Sequence, residues 1–166
     1  MLETLPQVPE DSILGLAAAC RADPNPQKVD LTVGIYMNEE GVCPVFDAVS
    51  LAQQTLVEEE TTKAYMHPAG DSLFNQTPGG CGALRIGAEI INIAVPGARV
   101  WVSDPTWPVH IPLLGSVGLE FATYRYYEPS SHSVNFAAMV DDLRQAQQGD
   151  VVLLHGCCHN PCGADL

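Results

Sequence analysis

Apolar positions fall into two regimes along the chain. From Ala83 onward they alternate between helical and extended spacing. Residues 83–95 read as a helix, broken by Pro96-Gly97. Arg99-Val100-Trp101-Val102-Ser103 is a short apolar strand, and a loop through Asp104-Pro105-Thr106-Trp107-Pro108 leads to a weak helix from His110 to Val117, stopped by Gly118. Leu119–Tyr126 reads as a second strand, followed by a polar loop from Glu128 to Ser133. Asn135 then caps a helix from Phe136 to Gln147, with Val134 and Met139 placed as a hydrophobic staple. Val151–His155 is an apolar run of buried-strand type. The order β-α-β-α-β predicts an α/β domain with a mostly parallel sheet and flanking helices. In such sheets ligands bind at the carboxyl ends of the strands. Trp107 follows one of these strands, and His155 and Asn160 follow another.

The first 70 residues are less regular. A Pro-bearing arm, Leu5-Pro6-Gln7-Val8-Pro9, precedes a short helix that Asp11 or Ser12 can cap and that runs through Cys20. Val29–Tyr36 reads as a strand with Gly34 inside it, where a glycine marks either a bulge or the close approach of a ligand or another backbone. Val45–Glu60 reads as a helix with Val49, Leu51, Ala52, Leu56 and Val57 on one face, and Glu58-Glu59-Glu60 as its solvated end. Thr61–Gly70 is a loop that holds Tyr65.

Charge narrows the function classes. Twenty acidic and seven basic residues give a net charge of −13. That opposes binding to nucleic acid or to an anionic membrane, both of which need a basic footprint. No apolar run is long enough to span a bilayer, and Met1-Leu2-Glu3 does not open a signal peptide, so a cytoplasmic protein is expected. Six cysteines, at 20, 43, 81, 157, 158 and 162, are not spaced as a secreted disulfide framework and read as reduced thiols buried in a core. His155, Cys157, Cys158, His159 and Cys162 form a dense set of soft ligands, but adjacent Cys157-Cys158 does not match a metal knuckle.

The stretch Gln76-Thr77-Pro78-Gly79-Gly80-Cys81-Gly82-Ala83-Leu84-Arg85 organises the rest. A helix start leaves backbone N–H groups unpaired and carries partial positive charge, and glycines let an anion come close. The physical reading is a phosphate cradle, and the competing reading is a plain loop.

Three segments in order carry a resemblance: the Gly79 turn, Ser103-Asp104-Pro105-Thr106-Trp107-Pro108-Val109-His110, and His155-Gly156-Cys157-Cys158-His159-Asn160-Pro161-Cys162-Gly163. Ile13–Leu16, Val33–Tyr36 and Glu60–Tyr65 fit as well. Together they resemble the class I pyridoxal-phosphate-dependent aminotransferases of the aspartate and aromatic amino acid group. The resemblance implies an incomplete fold type I large domain plus an N-terminal arm. Residues 1–70 would be the arm and small-domain lead-in, and 71–166 part of the cofactor-binding domain. It implies pyridoxal 5′-phosphate as cofactor, amino acid and 2-oxo acid substrates, amino acid metabolism, and a homodimer.

Residue by residue, the resemblance places Gly79, Gly80 and Cys81 on the cofactor phosphate, with Cys81 standing where the family usually has a hydroxyl. It places Trp107 on the pyridine ring, Asn160 on the phenolic oxygen near the substrate carboxylate, and Gly34 beside that carboxylate. Tyr65 matches a tyrosine that reaches the phosphate of the neighbouring subunit. His110 matches a histidine behind the acid on the pyridine nitrogen, and His155 another near the ring. The resemblance also implies departures. The only lysines, Lys28 and Lys63, do not match the Schiff-base position, so no catalytic residue is assigned and a fragment inactive alone is expected. The link from Gly70 to Gln76 is shorter than the family's, and Cys162 replaces its usual threonine. A non-catalytic interaction module and a Cys/His metal-binding module are the alternatives.

Overall fold

The computed structural model describes residues 12–76 and 79–166. The chain divides into two compact units, with the division between Tyr65 and Met66.

In the second unit, α1 (Gly79–Ala94) is followed by β1 (Arg99–Asp104), α2 (His110–Gly115), β2 (Glu120–Arg125), a small antiparallel pair β3 (Tyr127–Glu128) and β4 (Ser133–Val134), α3 (Phe136–Leu143) and β5 (Val151–Val152). Three strands form a parallel sheet in the order β2-β1-β5, as the β-α-β-α-β pattern predicts. The central strand is buried on both faces. Val100 and Val102 join Ala88, Ala98, Leu114 and Leu119 in one cluster, with Leu84 and Ile91 of α1 packed against it. Trp101 joins Tyr124, Tyr126 and Met139 in another on the α3 side. A continuous apolar run in β1 is the sequence signature of this double burial.

Ends of these elements are set by identifiable groups. The Asn135 side chain accepts the Ala138 N–H at 3.1 Å, so it caps α3 as expected, and Val134 and Met139 meet in one cluster. The Trp101 indole donates to Asp150 at 2.8 Å, and Arg99 pairs with the same carboxylate at 3.4 Å, which fixes the turn into β5. Arg125 donates through its backbone and guanidinium to Asp142, tying β2 to α3.

Several boundaries differ from the sequence reading. The helix after the glycine turn begins at Gly79 rather than Ala83, so Gly79, Gly80, Cys81 and Gly82 are its first turn. Gly79 has φ +77°, a left-handed value that glycine tolerates at an entry into a helix. The last strand keeps only Val151–Val152, although Leu153 still donates to Trp101 at 2.9 Å. The expected polar loop after Glu128 folds back as the β3–β4 pair. The cysteines are not the core residues expected: Cys43, Cys81, Cys157 and Cys158 are exposed and Cys20 and Cys162 half-buried, because they lie at helix ends and in loops rather than on the apolar strands.

The first unit holds α4 (Ser12–Ala22) and α5 (Asp47–Glu59). Asp11, one of the two expected caps of α4, lies outside the described residues, as does the Pro-bearing arm. Val29–Tyr36 is not a strand. No neighbouring strand pairs with it among the described residues, and Asp30 instead takes the Thr32 N–H and hydroxyl in a local turn. Gly34 therefore marks no bulge, and a side chain there would meet nothing within 4 Å. In α5 no residue is buried, so its apolar face lies open. Among the described residues no helix is long and apolar enough to cross a membrane.

Candidate cofactor site at the strand ends

Trp107, His110, His155 and Asn160 all stand just beyond the carboxyl ends of β1 and β5. Parallel pairing of β1 with β5 brings the two following loops to one edge of the sheet. The Trp107 ring meets His110 edge-on, with centroids 5.2 Å apart. His110 in turn meets His155 edge-on at 5.2 Å. His155 stacks on His159 at 4.0 Å, and His159 stacks on Tyr126 at 4.1 Å. Five rings thus form one continuous array.

Polar contacts set the proton positions. The His155 Nδ1 accepts the Asn160 backbone N–H at 3.1 Å. In the neutral ring its Nε2 must then carry the proton. That Nε2–H is buried and has no hydrogen-bond partner among the described residues. An orphaned buried donor is costly and marks a place where an acceptor is wanted. Thr106 Oγ1 lies 2.8 Å from His110 Nδ1 and fixes that ring. All three histidines are held below their ordinary pKa. Burial is the main cause in each, and His110 and His159 are further lowered by the neighbouring imidazole of His155.

Asp165 closes the loop that carries Asn160. Its two carboxylate oxygens accept the backbone N–H groups of Cys158 at 2.9 Å and His159 at 2.8 Å. Those bonds hold its carboxyl below the usual aspartate value. The Tyr126 hydroxyl donates to the Ala164 carbonyl at 2.8 Å, and Gly163 N–H to the His159 carbonyl at 2.7 Å.

The other expected residues stand as follows. Gly79, Gly80 and Cys81 form the exposed first turn of α1. Trp107 is half-buried and Asn160 exposed. Tyr65 and Gly34 belong to the first unit, and both are exposed. Lys28 donates to the carbonyls of Cys20, Arg21 and Asp23 at the end of α4, and Lys63 pairs with Glu60. An apolar cleft of about 260 Å³ between α1 and β5, lined by Leu84, Ala88, Ile91, Leu114, Val151 and Leu153 among others, includes none of the candidate residues. Sequence reasoning missed His159, Ser103, Thr106 and Asp165 as parts of this region. A serine ending the apolar run of β1 and the His155/His159 spacing were the available signals. Among the described residues no group of three or more His, Cys, Asp or Glu is placed to hold a metal ion, so the metal-binding alternative gains no support.

A family model, Aminotransferase class I and II, matches residues 74–166. The chain belongs to this aminotransferase family. The aspartate aminotransferase of Salmonella typhi is 44% identical over 99% of this chain and 48% of its own length. A solved aromatic amino acid aminotransferase with 3-indolebutyric acid superposes with a TM-score of 0.92 at 43% identity, covering all of this chain and 47% of that one. The aromatic-amino-acid aminotransferase of Burkholderia pseudomallei, covalently bound to pyridoxal phosphate, superposes with a TM-score of 0.89 at 35% identity over all of this chain and 47% of its own. The chain thus spans about half the length of the curated relatives it matches. It is an incomplete fold type I large domain with a parallel sheet and flanking helices, as the aminotransferase motifs implied. The Salmonella typhi alignment runs over 188 positions against 166 residues here, so that relative holds residues inside the matched span that this chain lacks.

Proposed function

We propose that this aminotransferase chain carries the ring-and-phosphate half of a pyridoxal 5′-phosphate site, of the kind that exchanges an amino group between aspartate or an aromatic amino acid and a 2-oxo acid. The observation that carries the reading is the array Trp107–His110–His155 at the strand ends, with the buried His155 Nε2–H, unpartnered among the described residues, inside it. Bound there, the cofactor supplies an electron sink for amino transfer.

The residues present fit the group. Trp107 offers a flat apolar face to a flat ring. The N-terminal turn of α1, which includes Gly79, Gly80 and Cys81, offers a positive dipole end to a phosphate, and a side chain at Gly80 would meet nothing within 4 Å. Cys81 is a poorer donor than a hydroxyl, so the backbone carries the phosphate. Neutral His155 holds its proton at Nε2, and neutral His110 adds no charge. The Asn160 amide, on a loop clamped by Asp165, is a donor toward the phenolic oxygen and the substrate carboxylate. Tyr65 and Gly34 belong to the same reading, as do the split into an arm with lead-in (1–70) and a cofactor domain (71–166) and the homodimer.

Proton transfer is the missing part. Lys28 and Lys63 are both engaged at helix ends in the first unit. We infer that the 166 residues alone hold cofactor without a covalent link and turn over no amino acid. An absorbance titration with pyridoxal 5′-phosphate, then borohydride reduction and peptide mapping, tests this. Saturable binding with no lysine adduct is expected. Absence of saturable binding overturns the half-site, and steady transamination overturns the inactivity.

A second reading rests on α5, whose apolar Val49, Leu51, Leu56 and Val57 are all exposed. It is a non-catalytic module that joins a longer homologue, and co-purification with such a homologue would favour it.

A further inference from the structure

A second line of polar groups runs beneath the loop that carries Asn160. Ser103 at the end of β1 is 1% exposed, and His159 is 2% exposed. The His159 Nε2 lies 3.0 Å from Ser103 Oγ, and its Nδ1 lies 3.1 Å from Cys162 Sγ. The Tyr124 hydroxyl donates to the Leu153 carbonyl at 2.8 Å. Its oxygen is therefore left to accept from Ser103, and burial holds the Tyr124 phenol above its ordinary value with the Ser103 hydrogen bond opposing that rise. The Ser103 oxygen then accepts from His159 Nε2–H. This order of donors leaves the lone pair of Nδ1 facing the Cys162 thiol. The His159 ring cannot turn away, because it is sandwiched between Tyr126 at 4.1 Å and His155 at 4.0 Å, each plane within 14° of its own.

A thiol, a base and a third group that orients the base are the parts of an activated nucleophile. We propose that Cys162 is a base-assisted thiol that covalently captures small α,β-unsaturated carbonyl compounds. The thiol proton passes to His159 Nδ1 as the sulfur pair forms a bond to the β-carbon. The C=C π pair moves to the α-carbon, which takes the proton back from Nδ1. One S–C and one C–H bond form, one S–H and one π bond break, and no oxidant or leaving group is needed. Addition of this kind uses the imidazole first as base and then as acid, which is what a ring held between Cys162 and Ser103 can supply. Half-burial of Cys162 beside Tyr126 restricts the site to small molecules.

Groups facing His159 are the His155 ring, the Tyr126 phenol, the Cys162 thiol, the Ser103 hydroxyl and, through its backbone N–H, the Asp165 carboxylate. Burial and His155 keep the imidazole neutral below the ordinary histidine value, so the base remains available in mildly acidic solution.

The test is site-resolved labelling of the whole chain with acrylamide, followed by mass spectrometry from about pH 6 to 8.5. Exposed Cys43 and Cys81 in the same molecule serve as references. General base assistance of this kind is worth on the order of 10²-fold or more, so Cys162 should label at least about tenfold faster than either reference at pH 6.5. The advantage should shrink toward pH 8.5, where free thiols ionise unaided. Ser103→Ala, which keeps the ring stack, should cut the Cys162 rate several-fold and leave Cys43 and Cys81 unchanged. In denaturant the three rates should converge. Labelling of Cys162 no faster than Cys43 and Cys81 at pH 6.5, or a rate that climbs tenfold per pH unit throughout, overturns the proposal without recourse to any variant.

Discussion

His155 and His159 lie ring on ring, with centroids 4.0 Å apart and planes 14° from parallel. Two imidazolium ions cannot share that stack in a buried site without mutual repulsion. Burial is the main reason that both rings, and His110 beside them, are held below the ordinary histidine value of 6.5, and the His155 ring lowers His110 and His159 further. The unfolded chain binds protons first as the pH falls. Stability contributed by these rings is full above about 6.5 and is lost progressively as the pH drops toward their folded values. Thermal unfolding followed between about pH 7.5 and 5 should show a falling midpoint, and NMR titration should find the three histidines protonating below the ordinary value of 6.5. Midpoints that rise on acidification would contradict the stacked, neutral trio.

A different acid response belongs to Asp142. Arg125 holds its carboxyl down to about 2, against an ordinary 3.8. Because the folded value is the lower one, this contribution is present above 3.8 and disappears as the pH falls through about 2. Arg125→Gln should remove that portion of the acid dependence. Unfolding midpoints of the variant and the parent should converge near pH 2 and separate above pH 4.

Val102 is fully buried at the centre of the sheet. Val102→Ala removes two carbons from a packed core and should cost about 2 kcal/mol in urea unfolding. Leu56→Ala on the open face of α5 should cost under about 0.5 kcal/mol. Equal costs at the two positions would mean that α5 is covered in solution.

Asp165 is the clasp of the Asn160 loop. Asp165→Ala removes the acceptor for the Cys158 and His159 N–H groups. Amide exchange at those two residues should accelerate at least about tenfold, while Val100 and Val102 in β1 keep their protection. Unchanged exchange at Cys158 and His159 would show that the loop is held by other bonds.

How much of this was legible in the chain follows from where the interactions are local. The β-α-β order, the Asn135 cap and the Val134–Met139 staple depend on periodicity and short-range spacing, and the structure has them. The motifs name Trp107, His110 and His155, and the parallel pairing of β1 with β5 brings them to one edge, where their contact with a cofactor is a proposal. Val29–Tyr36 misled because apolar β-branched residues meet the strand pattern, yet a strand also needs a neighbour, and Asp30 competes for the backbone locally. The early start of α1 was missed because four residues with three glycines read as a turn, although Gly79 needs only one left-handed φ to enter the helix. His159, Ser103 and Asp165 act through contacts 56 and 6 residues apart, beyond any local pattern.

The proposed cofactor half-site is most directly tested by tryptophan fluorescence, because the chain has two tryptophans in opposite settings. Trp101 is buried in the core and bonded to Asp150, whereas Trp107 is half-buried at the strand ends. Adding pyridoxal 5′-phosphate should quench the emission saturably, and Trp107→Phe should abolish the saturable part while leaving the Trp101 emission in place. Quenching that stays linear with concentration, or that survives unchanged in Trp107→Phe, would contradict a ring site at the ends of β1 and β5.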